Sequence, residues 1–350
     1  DNPDSIDVLV PLFIKLDSYG EYVFDWSWAD AYHRHGLSYY PKLLWAVPYT
    51  PTSGPRLLYR GDAATAWATA IAAVQQLCEQ QQCSGWHLNF PHSSDLPYLT
   101  SEADLLLRSA CQYHWYNRHY RDFEHYLEHF TSRKRKNVRK ERQKVTDAGL
   151  TLQRLTGPAL LDHIDFFYRC YQSTYLKRGR KGYLNRGFFR QLAAQMNDQM
   201  LLVIASRPSD DALSQPVAAA LYFYDDQHLY GRYWGCTEEH DGLHFEACYY
   251  QGIEFCIEHK IARFDPGTQG EHKIARGFEP VLTHSLHRLQ HPGFHDAVGR
   301  FIDEETREVL TWQQEAATLL PFNENALQQP RMGAKPLPNI HPNTDPTDTP

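Results

Sequence analysis

The sequence predicts an α+β fold on a mixed sheet, made from two similar halves. Three observations point there. Short β-rich runs alternate with helical patterns along most of the chain. The halves also rhyme. In the first, a long helix leads to "WHLNFP", about twenty residues intervene, and "CQYHWYN" follows; in the second, a long helix leads to "ARFDPG", a similar gap intervenes, and "THSLHRL" follows. Finally, 350 residues with 42% hydrophobic and 13% aromatic content suffice to bury two cores.

The elements follow in order. Ile6 to Leu16 is β-rich and reads as a strand, and an aromatic loop, "SYGEYVFDWSWADAYHRHG", leads to a short helix. "PKLLWAVPYTPTSGPRLL" gives a strand and then a Pro/Gly-rich loop, and Asp62 caps an Ala-rich helix running to about Gln82. "GWHLNFP" is a strand, "YLTSEADLLLRSA" a helix and "CQYHWYNR" a strand; Asp122 then starts a helix to Phe130. Thr131 or Ser132 can cap the basic segment that follows.

The second half opens with the strand "LTLQRLTG", a helix begun by Pro158, and the helix "NRGFFRQLAAQM". Three strands come in succession, the last two joined by a hairpin at Asp225 and Asp226. A long helix from His244 to Lys260, the strand "IARFDPG", a polar loop, the strand "VLTHSLHRL" and a helix from Gly293 to about Leu319 complete the fold. The expected division is a first domain at 1–130, a basic connecting helix at 131–149, a second domain at 150–322, and a disordered Pro-rich tail at 323–350.

No window approaches the roughly 18 apolar residues of a membrane helix. Seven cysteines at irregular spacing include no C-x-x-C pair, so a zinc ribbon or redox dithiol is not indicated and no metal is expected. Free cysteines in apolar patterns fit a reducing, cytoplasmic setting. The chain opens at Asp1, so any address that preceded it is not visible.

The net charge of -7 hides a steep asymmetry. "SRKRKNVRKERQK" sets Arg133, Lys134, Arg135, Lys136, Arg139, Lys140, Arg142 and Lys144 against Glu141 alone, a net +7 that leaves -14 for the remainder. Such a helix suits a polyanion, RNA or a pyrophosphate, through residues such as Arg135, Lys136, Arg139 and Lys140. A solvated helix face is the other reading.

The turn "GCTEEHDGLHFEA" precedes the long helix, where a coenzyme A pyrophosphate would sit on bare backbone N–H groups. Glu238, Glu239 and Asp241 speak against that. On the helix, Phe245, Cys248, Tyr249, Gly252 and Cys256 form an apolar face, while Glu246, Tyr250 and Glu254 line a second stripe available to substrate.

The densest polar cluster is "FDPGTQGEHKIARGFEP", Phe264 to Pro280. Lys273 and Arg276 can stabilise an oxyanion or clamp a phosphate. Glu271, His272 or Asp265 can take a proton from an attacking amine, and Asp265 is also suited to forming the turn. Gln269 adds a neutral substrate contact. No G-x-S-x-G, Walker loop or G-x-G-x-x-G occurs, so serine hydrolase, kinase and dehydrogenase readings find no motif.

The aromatic segment from Ser18 to Leu58, "HFEACYYQGIEFCIEH" and "RFDPGTQGEHKIARGFEP" together resemble the FemAB-like N-acyltransferases of Gram-negative bacteria, proteins of peptidoglycan biosynthesis or recognition. The resemblance spans nearly all of Ile6 to Phe322. It implies two tandem GNAT-like domains, the first lacking elements that precede its opening strand. The Fem transferases, more distant in resemblance, move an amino acid from aminoacyl-tRNA to an amine of a cell-wall precursor. Their basic helix resembles Arg133 to Leu150, and a lysine-containing element of theirs resembles "HKIARGFEP". The resemblance thus implies that Lys273 stabilises the tetrahedral intermediate or the leaving tRNA end. This chain differs in having His272 before the lysine and Glu279 after Gly-Phe. No bound cofactor is expected. The donor is aminoacyl-tRNA or acyl-coenzyme A, and the acceptor an amine, with transient contact to a membrane-linked precursor and no DNA. A non-catalytic module binding muropeptide or RNA is the reading from another class.

Overall fold

The computed structural model describes residues 6–101, 104–208, 214–268, 270–324 and 326–333. Among the described residues there are twelve strands: β1 (Val8–Leu9), β2 (Leu12–Lys15), β3 (Lys42–Trp45), β4 (Leu58–Tyr59), β5 (Gly85–Asn89), β6 (Leu106–Tyr116), β7 (Thr151–Leu155), β8 (Met200–Arg207), β9 (Gln215–Tyr224), β10 (His228–Cys236), β11 (Arg263–Asp265) and β12 (Glu279–Leu289). The helices are α1 (Trp26–Arg34), α2 (Ala63–Gln80), α3 (Leu96–Leu99), α4 (Phe123–Glu128), α5 (Ser132–Asp147), α6 (Ile164–Leu176), α7 (Arg186–Met196), α8 (Leu243–Phe245), α9 (Gln251–Glu258) and α10 (Pro292–Thr318).

Ten strands form one mixed sheet in the order β2-β3-β5-β12-β6-β11-β10-β9-β8-β7. The order is symmetric about its middle. β3 runs parallel to β5 and β10 parallel to β11, while β12 pairs antiparallel with β5 and β6 pairs antiparallel with β11. Each half therefore lends its last strand to the other, and β12 and β6 pair at the centre. The boundaries expected at 130 and 150 divide the chain but not this sheet.

Local chemistry sets most element ends. Asp62 accepts a hydrogen bond from the Thr65 amide at 2.8 Å and starts α2 as expected; Asp122 does the same for His125 at 2.7 Å in α4. Pro11 splits the expected first strand into β1 and β2.

Two expectations are corrected. Among the described residues the helix expected over Tyr98 to Ala110 is only the end of α3, and Leu106 to Ala110 belong to β6. Successive side chains of β6 point to opposite faces, so its leucines serve two layers: Leu107 packs with the α2 core, Leu106 with Trp28 and Ile302. The tail expected to be disordered from 323 is packed through residue 333 where it is described. Ala326 is buried, the Met332 amide donates to Asn117 O at 2.7 Å, and Arg331 donates to Glu279 at 2.6 Å. Residues 334–350 of that expected tail lie outside the described residues.

The polar loop is also not a loose hinge. Glu271–Arg276 is a 3-10 helix with Lys273, Ile274 and Arg276 buried. Gly277 ends it in the left-handed region at φ +78°, where a Cβ would overlap the Tyr126 hydroxyl.

Candidate functional site

β10 and β11 run parallel for only three residue pairs, from His228–Arg263 to Tyr230–Asp265. Then they part. A register shift at Arg232 bends β10, and Pro266 has no N–H to continue the ladder. The opening holds a cavity of about 140 Å3 lined by Arg232, Trp234, His244, Cys248, Tyr249 and Pro266, among others. A π-helical turn, Glu246–Tyr250, joins α8 to α9 and presents Cys248 and Tyr249 there.

Asp265 and Lys273 are brought together behind this opening. Asp265 Oδ1 accepts from the Gly267 amide at 2.9 Å, the turn-forming role expected of it. Its Oδ2 accepts from Thr52 Oγ1 at 3.1 Å and lies 3.7 Å from His114 Nε2. Burial opposes its ionisation, yet His114, the Gly267 amide, Arg232 and Lys273 together hold the carboxyl below its ordinary value. Lys273, 1% exposed, donates to Gly267 O at 2.6 Å. Burial pulls its ammonium down to about 8 against the attraction of Asp265. Burial also lowers His114 to about 4, and leaves its Nε2 without a hydrogen-bond partner. Lys273 is not among the residues lining the cavity; it lies beneath them.

His272 is exposed, and its Nε2 lies 2.8 Å from the Tyr249 hydroxyl. Glu271 is exposed and lines a larger cavity of about 400 Å3 on the neighbouring part of the sheet. Gln269 lies outside the described residues.

Three expected substrate contacts are occupied by the protein itself. Arg276 donates from Nη2 to both Glu141 oxygens at 2.8 Å and from Nη1 to His272 O at 2.6 Å, with its guanidinium 3.5 Å from the Phe245 ring centroid. Glu246 is buried and receives two hydrogen bonds from Arg142, at 2.9 and 2.8 Å. The Tyr250 hydroxyl, also buried, donates to Glu141. Glu246 and Tyr250 thus anchor α5 rather than face a substrate. The sequence placed Glu141 and Arg142 on a helix, but only packing shows what they meet.

α5 is divided in use. Arg142 and Lys144 pair with Glu246, Glu254 and Asp241, and Arg139 with Glu124. Arg135, Lys136 and Lys140 have no carboxylate partner among the described residues, and Lys136 and Lys140 are exposed. At the start of α8, Glu239 pairs with Lys177, Glu238 with Arg207, and Asp241 with Lys144.

Sequence reasoning missed several groups: Thr52, His114, Arg232 and His244 around the opening, and a buried cluster of Glu21, Asp25 and Lys42 in the first half. A signal existed. Gln112 and His114, and Thr283, Ser285 and His287, are polar at every second position of their strands and so share one face.

A symmetric mixed sheet with a splayed parallel pair in its second half defines an α+β protein of two similar halves that exchange strands. Its sequence matches the model of the FemAB-like family, described as peptidoglycan biosynthesis/recognition, over residues 1–324, and the chain belongs to that family. Among solved structures it resembles the C-terminal DUF2156 domain of a protein assigned as a lysylphosphatidylglycerol synthetase from Agrobacterium fabrum (TM-score 0.52, 8% identity, 73% of this chain and 80% of that one). It also matches L-PGS from Bacillus licheniformis (0.48, 12%, 75% and 82%) and FemX (0.46, 11%, 73% and 86%). No curated protein matches it significantly. Among the described residues, no helix is long and apolar enough to cross a membrane.

Proposed function

We propose that the protein is an N-acyltransferase that moves an aminoacyl group from aminoacyl-tRNA to an amine of a peptidoglycan precursor or a similar acceptor. Membership of the FemAB-like family supports the peptidoglycan context. The observation that carries the reading is the buried Lys273 ammonium beside Asp265, behind the β10–β11 opening. An aminoacyl ester is already activated, so catalysis needs orientation, a proton acceptor and an oxyanion donor. Lys273 supplies positive charge to the tetrahedral oxyanion. His272, exposed at the 3-10 helix, takes the proton of the attacking amine. Arg135, Lys136 and Lys140, with Arg139, hold the tRNA backbone.

A second reading, acyl-coenzyme A as donor, draws on the cavity of about 440 Å3 at the start of α8, lined by Lys177 and Arg178. Glu239 occupies Lys177 there, which weakens it. The deciding experiment is binding of labelled aminoacyl-tRNA across a salt series, with coenzyme A compounds as competitors. The expected result is binding whose log–log salt slope is roughly -0.7 to -0.9 per phosphate contact, abolished by reversing Arg135, Lys136 and Arg139. No binding at low salt would exclude tRNA as donor and leave coenzyme A or a non-catalytic muropeptide- or RNA-binding module.

A further inference from the structure

A chain of buried polar groups crosses the first half of the sheet and ends at the large cavity. Lys42, fully buried, donates to Glu21 Oε2 at 2.8 Å and to Asp25. Tyr39 Oη donates to Asp25 Oδ2 at 2.7 Å and lies 3.3 Å from His87 Nε2. His87 Nδ1 lies 2.6 Å from His287 Nδ1, and His287 Nε2 lies 2.8 Å from Ser285 Oγ. His87 and His287 face each other across β5 and β12. Ser285, two residues before His287 on the same face of β12, lines the cavity of about 400 Å3, with Tyr22, Phe24, Arg108, Glu271 and Trp312 among the other walls.

The donor directions in this chain are fixed. Asp25, ionised beside Lys42, can only accept, so the single Tyr39 proton points at it. Tyr39 Oη can then only accept from His87, which puts the His87 proton on Nε2. Burial keeps both imidazoles neutral. The bare His87 Nδ1 must therefore accept from His287 Nδ1–H, which leaves His287 Nε2 bare. Ser285 Oγ–H must donate to it. The result is a hydroxyl hydrogen-bonded to an oriented imidazole base, the relation that activates a serine, recognised by geometry and not by a sequence motif.

A second feature stands beside it. Asn89 is directly opposite Ser285 across the same strand pair. It is fully buried, and neither its side-chain oxygen nor its nitrogen has a hydrogen-bond partner. Such groups are uncommon in cores. An amide nitrogen next to the attacking hydroxyl is of the type that stabilises an oxyanion.

We propose that Ser285 is a nucleophile for activated carboxylic esters entering this cavity, with His287 as its base, Asn89 as oxyanion donor, and His87, Tyr39 and Asp25 as positioning residues. Ser285 Oγ forms a bond to the ester carbonyl carbon while its proton passes to His287 Nε2. The carbon–oxygen bond to the leaving alcohol breaks, and the alcohol departs with that proton. Water then hydrolyses the acyl-serine, releasing the carboxylic acid and restoring the hydroxyl. The inference does not rest on the transfer reading.

The test treats the full chain with a fluorophosphonate probe, maps the adduct by peptide mass spectrometry, and follows p-nitrophenolate release from p-nitrophenyl acetate. The expected result is one label per chain, on Ser285, absent in Ser285→Ala. Tyr39→Phe, which removes the hydroxyl that sets the His87 tautomer, is expected to slow labelling by roughly tenfold or more. A wild-type protein left unlabelled at Ser285 overturns the proposal. So does equal label in Ser285→Ala. An unchanged rate in folded Tyr39→Phe overturns the relay. Should Tyr39→Phe not fold, Ser285→Cys decides the point: its thiol must alkylate with iodoacetamide faster than the native cysteines, and an equal or slower rate overturns the activation.

Discussion

Arg276 Nη2 sits 2.8 Å from each carboxylate oxygen of Glu141, so the 3-10 helix that carries Lys273 is bolted to the basic helix α5. Arg276 is nearly buried and Glu141 about a third exposed. Removing the carboxylate leaves a desolvated guanidinium with one fewer acceptor. Glu141→Ala is expected to destabilise by about 1–3 kcal/mol in urea unfolding. Faster amide exchange should be confined to residues 271–276 and the facing turn of α5. Uniform loss of protection would show that the contact is not local.

Glu246 gives a sharper case. It is buried beneath Arg142, so Glu246→Ala leaves that guanidinium with Glu254 as its remaining carboxylate partner and should cost about 1–3 kcal/mol. Acceptor affinity of the folded fraction should not change. A variant of native stability with weakened acceptor binding would restore the substrate role the sequence suggested.

Lys273 ties mechanism to pH. If its ammonium stabilises the oxyanion, transfer should decline as pH rises through about 8. Lys273→Met should lose this limb and lower turnover by about 10²-fold or more. Stability should move oppositely. The folded value lies below the ordinary 10.5, so the folded state releases its proton first and stability rises between about pH 8 and 10.5. Lys273→Met, free of the buried charge, should flatten that rise. A profile unchanged in the variant would remove Lys273 from the reaction.

Glu21 carries the reverse sign. Burial, only partly opposed by Lys42, raises its carboxyl from 4.5 to about 7. The folded state therefore holds a proton that the unfolded chain gives up first. Its contribution is complete below about 4.5 and is lost as pH rises through 7. Wild type should lose on the order of 2–3 kcal/mol from this group between pH 5 and 8. Glu21→Gln should show little of that slope in unfolding titrations at the two pH values. An equal slope in the variant would assign the effect elsewhere.

Much of this protein was legible in sequence because the signals are local. Helix caps at Asp62 and Asp122, the Asp225 hairpin and the halves' matching order all rest on residues near one another along the chain. The error at Leu106–Ala110 arose because a short apolar run fits helix or strand, and its pairing with Thr283–His287 of β12 decides between them. Lys273 and Asp265 were found because they stand eight residues apart in one polar segment. His114 and Thr52 were not, because they reach Asp265 from strands and loops over a hundred residues away.

The sequence by itself determined most element types, the basic character of α5 and the glycines around the 3-10 helix, since propensity, charge and backbone freedom belong to each residue. Only the tertiary structure decided which charges are used up inside the fold and which remain for a ligand. Glu246, Tyr250 and Arg276 became structural because α5 packs on them, while Ser285, His287, His87 and Asn89 became a cluster because β12 inserts between β5 and β6. Strand exchange of that kind is a long-range pairing, and its energy appears only when residues about two hundred apart are brought to hydrogen-bonding distance.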